Sequence, residues 1–188
     1  MVLLVVIGCG GPHSNHVLPD EVSQPRSAIE RTAAVYDVVL GWHREQLRDG
    51  QIVLDARAMD LPRNHDDYLR RSFSDLSQSA TEAFIGVYRE PALHTNPLGI
   101  RTEHALLTPE ARAAITASGE LAWDSFHAQY PRSQGLLTLS KVGFSTDERY
   151  ALVYLGRVTG GIGEGNYFMV ERDGQEWQIV RIVEAWVA

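Results

Sequence analysis

His43 and Asp55 are the residues on which a general-base reading of this chain rests. His43 falls on the apolar side of a helical stretch, and Asp55, with Arg57, projects from one face of the strand-like run that follows. If that strand face meets the helix, an imidazole and a carboxylate come together as an acid–base pair. The same residues also read as a core histidine satisfied by a buried aspartate, with Arg57 balancing the charge, because polar groups inside a domain are normally hydrogen-bonded.

A second stretch with chemical potential is "GRVTGGIGEGNYF", residues 156–168. Its glycines allow close backbone approach or left-handed conformations. Arg157, Thr159 and Glu164 there are the candidate ligand-binding residues. The competing reading is a wide hairpin between two long strands, and no Gly-Lys-Ser/Thr ending makes it a phosphate loop. His13-Ser14-Asn15-His16 and His65-Asp66-Asp67 offer two or three metal ligands each, short of the four a closed zinc site wants. No metal site and no cofactor are therefore expected. The chain also lacks G-x-S-x-G, H-E-x-x-H and any catalytic-cysteine context. Ser140 and Ser145 read as strand-edge and turn residues.

The opening "VLLVVIGCGGPHSN" admits two interpretations. Six apolar residues running into Gly8-Cys9-Gly10 suggest a strand and a dinucleotide-binding turn, but His13 stands where the third glycine belongs. Pro12, Pro19 and Pro25 also forbid the helix that must follow. The other interpretation fits better. Val6-Ile7-Gly8-Cys9 resembles the lipobox of bacterial lipoproteins, which implies acylation of Cys9, and the polar, proline-rich residues after it suit a tether. No Lys or Arg precedes the apolar run and six residues are short for a signal core. A start upstream would supply both. Residues 1–8 are accordingly expected to be a truncated signal-like segment and 9–26 a tether. The protein is placed in the bacterial cell envelope, with a cytosolic protein bearing a hydrophobic first strand as the alternative.

Of 188 residues, 44% are hydrophobic, with four Trp and seven Tyr, so residues 27–188 have material for one domain with a real core. The net charge of −7 and the absence of a basic run exclude an ordinary nucleic-acid surface. No segment reaches the ~20 apolar residues of a membrane span. Cys9 is the one cysteine, which leaves the body without disulfides.

The elements that must hold these residues are well marked in places. Ser27-Ala28-Ile29-Glu30 is a capping box opening a helix, with Ile29, Tyr36, Val39, Leu40, His43 and Leu47 on one face and Asp49-Gly50 as its stop. "QIVLDARAM" alternates with period two and predicts a strand. Residues 67–88 are helical with a break near Ser77, 90–108 read mostly as loop, and Thr108-Pro109 opens a short helix. Another short helix covers 121–127. Four strand-like runs follow, "GLLTLSKVGFS", "RYALVYLGRV", "NYFMVERD" and "QEWQIVRIVEAWV". Asp173-Gly174 is a two-residue hairpin turn, and Tyr150–Val158, apolar on both faces, must be central and covered on both sides. The expected fold is α+β: an antiparallel meander of four to five strands packed against the N-terminal amphipathic helix and further short helices.

Residues 130 to 180 resemble a group of uncharacterised bacterial secreted or lipoprotein-like sequences. The shared features are Tyr130-Pro131, Ser140 ahead of Val142-Gly143-Phe144, the strand Ala151-Leu152-Val153-Tyr154, the glycine-rich loop, and Gly174-x-x-Trp177. The resemblance implies fold and location but no activity. In that group the glycine loop often carries a cysteine pair; here Thr159 and Gly163 stand near those places. The closing "DGQEWQIVRI" is similar to the last strands of nuclear-transport-factor-two-like folds. Two functions follow as expectations. One is a non-enzymatic binding module for an envelope protein or small ligand, held to the membrane by lipid alone. The other is a small hydrolase or lyase with its pocket between the first helix and a curved sheet.

Overall fold

The computed structural model describes residues 27–47, 50–57, 65–88, 99–117 and 120–187. Cys9 and the expected signal-like segment and tether lie outside them, as do His13 and His16.

Helix α1, Ala28–Gln46, begins at the expected capping box: the Ser27 hydroxyl accepts from the Glu30 N–H while the Glu30 carboxylate accepts from the Ser27 N–H. Tyr36, Val39, Leu40, His43 and Leu47 are buried as their spacing predicts. Ile29 is the exception at 60% exposed, because it sits in the first turn, ahead of the stretch that meets the sheet. Strand β1, Gln51–Asp55, is followed by α2, Asp66–Ser72, and α3, Gln78–Val87. The break between those helices falls at Ser77, whose side chain caps α3 by accepting from the Ala80 N–H. Next come β2, Ala105–Leu107, and α4, Pro109–Ala114, capped by Thr108 with proline in its first turn. A short ribbon, β3 Thr116–Ala117 and β4 Glu120–Leu121, leads to α5, Trp123–Gln129. The last third is β5 Ser133–Leu139, β6 Gly143–Phe144, β7 Tyr150–Thr159, β8 Ile162–Asp173 and β9 Glu176–Val187.

Seven strands form one sheet in the order β2-β1-β5-β7-β8-β9, with β6 also paired to β7. Strand β7 is central as expected, flanked by β5 and β6 on one side and β8 on the other, all antiparallel. The hairpin into β9 turns on Gly174 and Gln175, with Gly174 at φ +59° and Asp173 paired to Glu176. It is thus displaced by one residue from the expected Asp173-Gly174.

Two expectations are corrected. The sheet is mixed and seven-stranded, not a pure meander of four to five strands, because β1 pairs in parallel with both β2 and β5. Residues 105–107, expected as loop, form the edge strand β2. The reason lies in burial: Ile52, Val53, Leu54 and Asp55 are all buried, on both faces. This is the environment of a parallel strand reached through helical crossovers, here α2–α3 and then α4–α5. The apparent period-two alternation of "QIVLDARAM" therefore did not mark an exposed face.

The sheet is covered on both sides. Against α1 lie Ile52, Leu54, Leu137, Leu139, Ala151, Val153, Leu155, Phe168 and Val170. The opposite face is closed in two patches. Helices α2 and α3 bring Leu69, Phe73, Phe84 and Tyr88 onto Leu152, Tyr154, Tyr167 and Met169, and α4–α5 bring Ile115 and Phe126 onto Val53, Leu107 and Leu136. Fully burying one such side chain contributes about 1.5–3 kcal/mol, so these layers dominate stability.

Candidate functional site

The glycine-rich stretch is a tight hairpin, not a wide one. Thr159 pairs with Ile162, leaving Gly160 and Gly161 as the two turn residues, at φ +53° and +92°. Positive φ at both central positions is the requirement of a type I′ turn, which glycine meets at little steric cost. Arg157 and Glu164 are directly opposite in register and their side chains pair at 3.0 Å, both partly exposed. Such a cross-strand pair is worth a few tenths of a kcal/mol up to about 1.

Gly163 and Gly165 have a different cause. A Cβ at Gly163 would lie 2.5 Å from the Trp186 indole, and one at Gly165 only 2.1 Å from the Tyr154 hydroxyl. A register shift in β8–β9, where Asn166 pairs Glu184 but Gly165 pairs Trp186, turns that tryptophan onto the α2–α3 face. There its Nε1–H donates to the Tyr154 hydroxyl at 2.7 Å. Burial pushes the Tyr154 phenol up to about 12, against the donated hydrogen bond. The glycines are the seat of Trp186.

His43 and Asp55 are both buried but are not brought together. Asp55 closes β1 by accepting from the Arg57 N–H at 3.0 Å and by pairing with Arg112 of α4. The guanidinium balancing it is therefore Arg112, not Arg57. His43 is 4% exposed, and its Nε2 is enclosed with no hydrogen-bond partner. Burial, helped by the neighbouring Arg157 charge, pulls this imidazole down to about 4. It is neutral at pH 7, and without a carboxylate to orient it, it is poorly matched to general-base work.

His65 and Asp66 serve the fold. The His65 Nδ1 is 2.6 Å from the Tyr167 hydroxyl, Asp66 accepts from the Tyr88 hydroxyl at 2.7 Å, and Asp67 pairs with Arg70. Among the described residues no three His, Cys, Asp or Glu side chains gather where a metal ion could be held. Ser140 stitches β5 to β7, its backbone N–H donating to the Tyr154 carbonyl while its hydroxyl accepts from the Tyr154 N–H. Ser145 caps the turn ahead of β7 by accepting from the Tyr150 N–H.

Sequence spacing missed a polar cavity of about 310 Å³ at the rim of the sheet. It lies where α1 ends and β1 and β2 begin, lined by Arg44, Gln51, Glu103, His104, Ala105 and Arg132 among others. Each lining group is placed by an identifiable contact. Asp37 of α1 accepts from the N–H groups of Arg101 and Thr102, both at 2.7 Å, and so pins the segment leading into β2. The His104 Nδ1 donates to the Thr102 carbonyl at 2.7 Å, which leaves Nε2 as the ring's free nitrogen. The Arg132 carbonyl accepts from the Gln51 N–H at 2.9 Å, holding the start of β5 beside β1. Arg44 occupies the last turn of α1, where a cation suits the helix dipole. It pairs with Glu103 at 3.3 Å, both well exposed. The Arg132 guanidinium has no hydrogen-bonding or ionic partner among the described residues. These groups come from four separate segments, and only parallel pairing of β1 with β2 and β5 gathers them.

No known protein family, curated protein or solved structure matches the chain. Among the described residues, no helix is long and apolar enough to cross a membrane.

Proposed function

We propose that the protein is a non-enzymatic binding module of the bacterial cell envelope, lipid-anchored at Cys9, which recognises its ligand at the rim cavity. The observation that carries the reading is a contrast in partners. Asp55 is committed to Arg112 and Arg157 to Glu164, and the His43 Nε2 has no partner, whereas the cavity holds a guanidinium and an imidazole nitrogen without partners among the described residues. The location is supported by Val6-Ile7-Gly8-Cys9 and by the tether-like residues after it.

Two measurements test the reading. Expressed from its native start in a bacterial host, the protein takes up labelled fatty acid and partitions into detergent, and Cys9→Ser abolishes both. Labelling that survives Cys9→Ser removes the anchor. In a deletion strain, His104→Trp, which fills the cavity, abolishes complementation, while a folded His43→Gln complements normally. The opposite pattern would place the function at His43 and overturn the binding reading.

A further inference from the structure

We infer that the rim cavity is a receptor for the oxyanion of a small molecule, a phosphoryl or carboxylate group, held between Arg44 and Arg132, with Glu103 as a built-in competitor. The inference rests on the binding-module reading and adds the ligand's chemical class.

The net charge of the chain is −7, so its long-range field repels anions and only a local cluster of cations can take one. The cavity is such a cluster. Among the described residues its charged lining is two arginines against one glutamate, with His104 beside them. Guanidinium groups present planar forks of N–H donors that match carboxylate and phosphate oxygens, which makes arginine the side chain suited to this task. Arg132 is already without a partner among the described residues. Arg44 is held by Glu103 at 3.3 Å, with 51% and 84% of the two side chains exposed. An ion pair that exposed contributes little to stability, so a ligand oxyanion reaching both arginines displaces the glutamate readily. His104 adds a third contact through Nε2, its ring orientation set by the Thr102 carbonyl. In that orientation Nε2 accepts from a protonated phosphate oxygen. Glu103 and His104 directly precede the lining residue Ala105, and both are carried on the segment that Asp37 pins. Asp37 thereby ties Glu103 and His104 to α1, the helix that carries Arg44.

The test is a titration of the full chain, in low-salt buffer, with inorganic phosphate and separately with acetate, followed by the amide resonances of Gln51 and Ala105. Saturable shifts with either probe support the assignment, and the tighter of the two names the group as phosphoryl or carboxylate. Arg132→Gln is expected to weaken binding about tenfold. Glu103→Gln is expected to strengthen it about threefold, an outcome a merely structural role for Glu103 would not produce. Both side chains are exposed, and circular dichroism confirms that the variants fold. No saturable shift with either probe, or equal affinity in Arg132→Gln, overturns the oxyanion assignment. If His104→Trp still abolishes complementation in that case, the binding module stands and only its ligand class is wrong.

Discussion

Against α1 the sheet presents Ala151, Val153, Leu155, Phe168 and Val170, met by Val35, Val39 and Leu40. Against α2 and α3 it presents Leu152, Tyr154, Tyr167 and Met169, met by Phe73, Phe84 and Tyr88. The first face is mainly aliphatic; its Tyr36 phenol donates to the Ser140 carbonyl at 2.8 Å, but the His43 Nε2 is unsatisfied. The second is half aromatic, and the tips of its tyrosines end on partners: Tyr154 on Trp186, Tyr167 on His65, Tyr88 on Asp66. The aliphatic side chains around His43 offer its Nε2 nothing to bond. Phenols bring their own donor and acceptor and recruit partners at the periphery. The α1 face is thus the one sensitive to charge, and the α2–α3 face the one sensitive to loss of single hydrogen bonds.

The largest effect should come from Val153→Asp, at a fully buried position on the α1 face paired to Phe168. A carboxylate buried in that aliphatic layer costs several kcal/mol. Cooperative unfolding followed by circular dichroism should be lost. A folded variant of near-native stability would break the comparison.

His43→Leu sharpens it. The ordinary imidazole value is 6.5 and the folded one about 4. Between those values the unfolded chain holds a proton that the folded chain does not. Stability is therefore full above about pH 6.5 and declines as the pH falls towards 4, by about 3 kcal/mol in all. In His43→Leu that component of the acid sensitivity should vanish from urea midpoints measured between pH 7 and 4. An unchanged pH profile would show that the histidine is not the charge-sensitive point of this face.

The smallest effect belongs to the other face. Tyr167→Phe keeps the ring contacts with Phe84 and Tyr154 but leaves the His65 Nδ1 without its partner. The expected loss is about 1–2 kcal/mol, read from the urea midpoint at neutral pH. A loss as large as that of Val153→Asp would mean that the hydrogen bonds, not the ring packing, hold the aromatic layer.

Much of the domain is written locally. The capping box at Ser27, the break at Ser77, the Thr108-Pro109 helix start and the centrality of Tyr150–Val158 each depend on residues within a few positions of one another. A pattern of that range can be read without knowing the rest of the fold. The glycine stretch was legible as a hairpin but not as a seat. Gly163 and Gly165 answer to Trp186, which faces them only because the β9 register shifts beside it. The partner of Asp55 was equally hidden, since Arg112 lies in a helix whose position is set by the parallel pairing of β1 and β2.

By itself, the sequence determined the α+β class, the long first helix and the covered central strand, all set by local spacing and composition. Only the tertiary structure decided that the sheet is mixed, that His43 has no carboxylate partner, and that Arg44, Glu103, His104 and Arg132 share one cavity. Parallel pairing joins strands distant in the chain, and a strand buried on both faces carries no alternation to announce its neighbours.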